Sequence, residues 1–192
     1  MSKTDVTAAE LGQPTAIITN TYIRLRSTQR ADLTVYHART RNVRVTLAWG
    51  GILMTFLNAQ AAQGVREALS AARPTMVNLP TDIGAARPTD EDAYDRPTVA
   101  IDWTQRPTYA VMPRETQTPH HQRIVRWTDV YLGSLTFQVL DRAAFHSTME
   151  ILELAHHTAI AVCLDGEHHR ADPTTAGYRA LNADKHTETD PD

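Results

Sequence analysis

In the segment AIITNTYIRLRS the residues Tyr22-Ile23-Arg24-Leu25-Arg26 alternate polar and apolar with a period of two, as a half-buried strand requires. Leu33 to Tyr36 and Val43 to Leu47 alternate in the same way, so three strands joined by short turns are expected. Trp49-Gly50-Gly51 breaks the pattern as a tight hairpin would, and Ile52 to Leu57 follows as a fourth strand. A helix comes next, in LNAQAAQGVREALSAARPTM from Leu57 to Met76, with its stop signal at Pro74.

The order then recurs. Strands are expected at Val99 to Trp103, Thr108 to Met112, Ile124 to Leu132 and Leu135 to Leu140, with the longer second loop PRETQTPHHQ, and a second helix in LDRAAFHSTMEILELAHHTA. At a constant offset Leu57, Ala61, Glu67, Leu69, Ala72 and Thr75 meet Leu140, Ala144, Glu150, Leu152, Ala155 and Thr158. Gly133 is matched with Gly51, which leaves a one-residue slip against the helix offset and suggests a bulge or a turn of different length. A whole four-strand-plus-helix unit is therefore read as a tandem repeat.

A four-stranded sheet with one apolar face needs a cover, and one amphipathic helix covers part of it. Phe145, Met149, Leu152, Ala155 and Ala159 form one stripe at helical spacing, which should face the sheet. The expected fold is α+β: two tandem pseudo-symmetric ββββα repeats, each an antiparallel four-stranded sheet covered by one helix, paired about an internal twofold. The expected boundaries are a disordered tail at 1–13, repeat 1 at 14–80, an acidic proline-containing linker at 81–96, repeat 2 at 97–170 and a disordered tail at 171–192.

At 192 residues and 42% hydrophobic, the chain can bury a substantial core. Its one cysteine, Cys163, excludes an internal disulfide framework and the paired-thiolate zinc patterns, which suits a cytoplasmic location. The run AWGGILMTFL is too short to span a bilayer and the first residues carry no apolar signal core, so no membrane partner is expected. Charge is uneven: residues 1 to 80 hold nine Lys and Arg against four Asp and Glu, while the rest is acidic. Such an asymmetry points to a charged partner or to the halves docking on each other.

Four strands and a helix, given twice, resemble the organisation of PUR-domain proteins and of the pseudo-twofold Whirly proteins, over residues of about 14 to 165. The resemblance rests on element order and the repeated helix, and it implies single-stranded nucleic-acid binding on the sheets. The residues that support it lie in the first block. If Ile23, Leu25, Leu33, Val35, Val43, Val45 and Leu47 face the helix, the other face carries Tyr22, Arg24, Arg26, Tyr36 and Arg44 with Thr34 and Thr46. Guanidinium groups neutralise phosphates and exposed rings stack on bases, so these five are the candidate nucleic-acid-binding residues. Arg30, Arg39 and Arg41 in the adjoining turns extend the track. The second block's corresponding positions are read as Asp102, Thr104, Arg126 and Thr128 in acidic surroundings, so binding is expected on one side only.

Competing chemistry is thin. His146, Glu150, Glu153 and His157 share a stripe of the second helix, but one helix cannot surround an ion with ligands two turns apart, so no metal site is expected. The chain has no glycine-rich phosphate loop between strand and helix and no G-x-S-x-G elbow, and Trp49, Trp103 and Trp127 read as core aromatics. No cofactor and no enzymatic activity are expected. The alternative to nucleic-acid binding is a protein-interaction or assembly module, with an acidic protein or a second copy of the chain on the same Arg and Tyr face.

Overall fold

A computed structural model of the protein describes residues 18–85, 98–118 and 123–179. The expected tail at 1–13 lies outside the described residues, as do most of the expected linker and the end of the C-terminal tail. Strands β1 Thr21–Leu25, β2 Asp32–Tyr36, β3 Arg44–Trp49 and β4 Ile52–Phe56 precede helix α1, Ala59–Ser70. Strands β5 Val99–Trp103, β6 Tyr109–Gln117, β7 Ile124–Leu132 and β8 Leu135–Val139 precede helix α2, Arg142–Val162. The architecture is α+β, with two four-stranded sheets and two helices.

The sheets are mixed, which corrects the expectation of antiparallel ones. One has the order β2-β3-β4-β5, the other β1-β8-β7-β6. Within each, three consecutive strands are antiparallel and the fourth joins in parallel: β5 beside β4, and β1 beside β8. The first strand of each block thus completes the sheet of the other. Main-chain bonds tie both exchanges at their ends. Thr21 N–H donates to the Ser134 carbonyl at 2.8 Å and Val99 N–H to that of Gly51 at 2.9 Å; Leu140 N–H reaches Leu25 at 2.9 Å and Leu57 N–H reaches Trp103 at 3.1 Å.

The physical reason for the exchange lies between β1 and β2, where no hairpin forms. Ser27 takes a left-handed conformation, φ 58°, and its N–H donates to the Asp141 carboxylate at 2.7 Å. Gln29 N–H donates to Ser147 Oγ at 2.9 Å, and the Gln29 side chain accepts from Trp49 Nε1 at 3.0 Å. The segment is therefore anchored on the first turns of α2 and carries the chain from one sheet to the other. Asp141, fully buried, also caps α2 through Ala144 N–H at 2.8 Å and accepts from Ile83 N–H at 3.3 Å.

Three smaller boundaries also shift. Both two-residue hairpins place a left-handed glycine first, Gly50 at φ 56° between Trp49 and Ile52 and Gly133 at φ 63° between Leu132 and Leu135. The glycine in the left-handed first position of the first hairpin is Gly50 rather than Gly51. The spacing from Gly50 to Gly133 equals that from Leu57 to Leu140. Strand β6 runs through Pro113 to Gln117, where a loop was expected; β6 is an edge strand, so a residue without N–H is tolerated there. Helix α1 ends at Ser70, and Pro74, with no N–H for the next helical bond, opens a 3-10 turn over Arg73–Asn78.

The two blocks share one core. Ile23 and Leu25 of β1, Val45, Leu47 and Trp49 of β3, Met54 and Phe56 of β4, Val130 and Leu132 of β7, and Phe137 and Val139 of β8 are buried with both helices. The expected α2 stripe of Phe145, Met149, Leu152, Ala155 and Ala159 is buried throughout. It packs against α1 as well as against β3 and β8, and α1 in turn lies on β4, β6 and β7. The small residues of α1, Ala61, Ala62, Gly64 and Ala68, permit that close approach. A Cβ on Gly64 would meet Arg106 Cγ at 2.7 Å and Pro107 Cδ at 3.0 Å, so the loop after β5 crosses α1 at that glycine.

Candidate functional site

The five residues singled out from the sequence are divided between the two sheets. Tyr22 and Arg24 stand on the outer face of β1-β8-β7-β6, and Tyr36 and Arg44 on the outer face of β2-β3-β4-β5. Because β1 pairs with β8 and not with β2, one continuous Arg and Tyr track across β1, β2 and β3 does not form. Arg26 is already engaged. Its Nε donates to the Gly84 carbonyl at 2.8 Å and its Nη2 to that of Ile83 at 3.1 Å, holding the segment that follows Leu79.

On the first face, Tyr36 and Arg44 are register partners across β2 and β3. They line an open groove of about 650 Å³ with His37, Arg41, Thr46, Leu53 and Thr55. No acidic residue lines it. Among the described residues neither Arg41 nor Arg44 has a carboxylate partner, and Tyr36 is half exposed (51%). The turn that supplies Arg41 is fixed by its backbone. His37 and Arg39 are left-handed, Thr40 Oγ1 donates to the His37 carbonyl at 2.7 Å, and Arg39 N–H donates to the Val162 carbonyl at the end of α2 at 2.7 Å. The hydrogen-bonded turn thus presents Arg41, and the start of β3 presents Arg44, beside an exposed ring.

The second face is also a groove, of about 830 Å³, and its lining corrects the phase expected for β7. Thr128 is buried and exchanges a hydrogen bond with Thr75 Oγ1 at 2.8 Å, and Arg126 is paired with Glu115 at 3.2 Å. The groove instead receives Trp127, Asp129 and Tyr131, so Trp127 is not a core aromatic. Buried Asp129 accepts from Trp127 Nε1 at 2.9 Å, Gln138 Nε2 at 3.0 Å, Tyr131 Oη at 3.1 Å and Arg114 Nε at 3.3 Å. Arg24 Nε donates to Gln138 Oε1 at 2.9 Å and so joins the network. Of the other expected outer positions, Asp102 is exposed on β5, and Thr104 offers its carbonyl to Asn58 Nδ2 at 2.7 Å.

A buried polar seam lies between the helices and the C-terminal segment. Arg66 Nη1 donates to His156 Nδ1 at 3.3 Å, so Nε2 carries the hydrogen and donates to the His169 carbonyl at 2.8 Å. Burial pushes His156 and His169 below the ordinary histidine range. Asp172 binds Arg66 at 3.2 Å; burial raises its carboxyl, but bonds from Thr174 and the Arg66 charge outweigh that and hold it below its usual value. Arg106 donates to Glu67, to Gln63 and, at 2.8 Å, to Tyr178. Residues 171–179, expected to belong to a disordered tail, are therefore tied to α1. Burial pushes the nearby Cys163 thiol up to about 12, which disfavours its thiolate form. Among the described residues no group of three His, Cys, Asp or Glu side chains could hold a metal ion.

Sequence reasoning missed Arg114, Trp127 and Tyr131 and gave Arg41 only an accessory place. The signal for β7 was present: Val130 and Leu132 immediately before Gly133 set the inward phase and force Trp127, Asp129 and Tyr131 outward. Compared with known proteins, the chain matches no family model, no curated protein and no solved structure.

Proposed function

We propose that this chain is a non-enzymatic binding protein that engages single-stranded nucleic acid on the outer face of the β2-β3-β4-β5 sheet. The observation that carries the reading is the open groove in which Arg41 and Arg44, without carboxylate partners, flank the exposed ring of Tyr36. Cations that are not internally neutralised can release counterions from a phosphate backbone, and a flat ring beside them gives a base something to stack on. The groove spans the neighbouring strands β2, β3 and β4, which suits an extended chain better than a compact ligand.

The same proposal includes an internal duplication. Reciprocal bonds support it: Thr21 to Ser134 is answered by Val99 to Gly51, and Leu140 to Leu25 by Leu57 to Trp103. So do the paired helix caps, in which Asn58 accepts from Ala61 N–H and Asp141 from Ala144 N–H at the same spacing as the hairpin glycines. An exchanged pair of repeats presents two outer sheet faces, and their groove linings differ in charge.

The test is binding of the purified chain to a labelled single strand and to the matching duplex at low and at moderate salt. Single-strand binding that weakens steeply with salt is the expected result. Absence of binding at low salt, with a concentration-dependent rise in mass, would transfer the Arg41 and Arg44 face to self-association.

A further inference from the structure

We propose that the outer face of the β1-β8-β7-β6 sheet is a second site, one that takes an unpaired nucleobase by stacking and not a phosphate; its ligand class rests on the strand-binding reading above. The two grooves share one device with the parts exchanged. On the first face a tyrosine of the outer strand stands across from an arginine, Tyr36 opposite Arg44; on the second an arginine stands across from an aromatic ring, Arg114 opposite Trp127. Each face thus sets a cation beside a ring at a cross-strand position.

Their charge balance separates them. The lining of the first groove has Arg41 and Arg44 and no acid, while in the second Asp129 is paired with Arg114, Glu115 is taken by Arg126, and Arg24 is bound to Gln138. With one cation already paired to Asp129 and the other held by an amide, this lining releases fewer counterions than the first and gains less from a phosphate. What it offers is flat surface held in place. Asp129 is 5% exposed and its oxygens serve four protein donors, two of them the polar edges of Trp127 and Tyr131, so the rings are fixed before a ligand arrives and little entropy is lost on stacking. Tyr22, 57% exposed, adds a further ring at the β1 edge. Arg24 uses only Nε internally, which leaves its terminal amino groups to meet the acceptor edge of a purine.

The full chain is titrated with guanosine, which has a base and no phosphate, and separately with oligothymidylate, while tryptophan emission is followed. Quenching by guanosine that is insensitive to salt, is abolished in Trp127→Phe, is weakened about fivefold or more in Arg24→Ala and persists in Arg41→Ala/Arg44→Ala is the expected result, since an arginine donating to a purine edge is worth about that factor at least. Urea unfolding of each variant checks that it is folded, and Arg24→Ala reports on the site without removing the fluorophore. No quenching by either ligand, in a chain that still binds the oligonucleotide through Arg41 and Arg44, overturns the base site alone. Quenching by guanosine without any strand binding overturns the strand reading and leaves the base site standing; absence of both removes the two together.

Discussion

Arg66 Nη1 and His156 Nδ1 meet at 3.3 Å in the seam between α1 and α2, where the arginine is 2% exposed and the histidine fully buried. Arg66 can only donate, so the bond requires His156 to be neutral at Nδ1. The groups facing it are Arg66 from α1, its neighbour His157, and His169 and Asp172 from the C-terminal segment. Protonation would put two donors and two positive charges against each other.

The pH dependence follows from the direction of the shifts. His156 and His169 lie below their unfolded values, so between about pH 7 and 5 the unfolded chain takes up protons that the folded chain refuses, and stability falls as pH falls. Asp172, held low in the fold, adds a further loss at more acid pH, when its carboxylate is protonated. Urea midpoints across that range should fall with acid in the wild type and fall less in His156→Gln, which cannot titrate. Parallel slopes in the two proteins would show that His156 does not carry the effect.

Asp141 is the joint on which the strand exchange depends. It accepts from Ser27, Ile83 and Ala144 amides, three separate parts of the chain, and it is fully buried. Asp141→Ala removes a helix cap worth about 1 kcal/mol and orphans two further amides at roughly 1 kcal/mol or more each. A loss of about 2–4 kcal/mol in chemical denaturation is expected. A loss under about 1 kcal/mol would mean that the crossover segment is held by Gln29 and Ser147 instead.

Gly166 permits a close passage that no other residue can make. A Cβ there would fall inside the contact distance of the Ile160 carbonyl oxygen, backbone that cannot swing aside. Displacing this turn would also disturb Asp165, whose carboxylate accepts from Ala59 and Gln60 amides at 2.9 and 3.0 Å at the start of α1. Gly166→Ala should therefore cost about 1–3 kcal/mol, the usual range for overpacking, and should make the segment after α2 sensitive to proteolysis. Leu69→Ala and Leu152→Ala, at 0% and 2% exposure on the two helices, should each cost about 2–5 kcal/mol with no such local sensitivity.

Local periodicity made the elements legible, and it could not make their partners so. The alternation of Ile23 and Leu25 with Tyr22 and Arg24 is the same whether β1 lies beside β2 or beside β8, because it reports which face is buried and not which ladder is joined. The choice is made by long-range bonds from Ser27 to Asp141 and from Leu140 to Leu25, invisible in any window of sequence. The candidate face was lost for the same reason. Tyr36 and Arg44 share a face because one hairpin places them in register, whereas joining Tyr22 and Arg24 to them requires a pairing of β1 with β2 that does not form. Trp127 was hidden by its hydrophobicity, although the phase set by Leu132 placed it outside.

On the face proposed to bind a strand, charge and stacking fall at separate named positions, and the two can be measured apart. Arg41 and Arg44 lie in the groove without carboxylate partners, so replacing both with Ala removes the proposed phosphate contacts and leaves no orphaned acid behind. Affinity for a labelled single strand should fall, and the slope of log affinity against log salt should flatten by about 1.4, the release from two contacts on a single strand. Tyr36→Leu keeps the charge and removes the ring. It should weaken binding by about 1–3 kcal/mol per stacked base at every salt concentration and leave the slope unchanged. If Tyr36→Leu instead changes the slope, or the double arginine variant binds as the wild type does, the strand does not lie in this groove, and an acidic protein or a second copy of the chain becomes the partner to seek there.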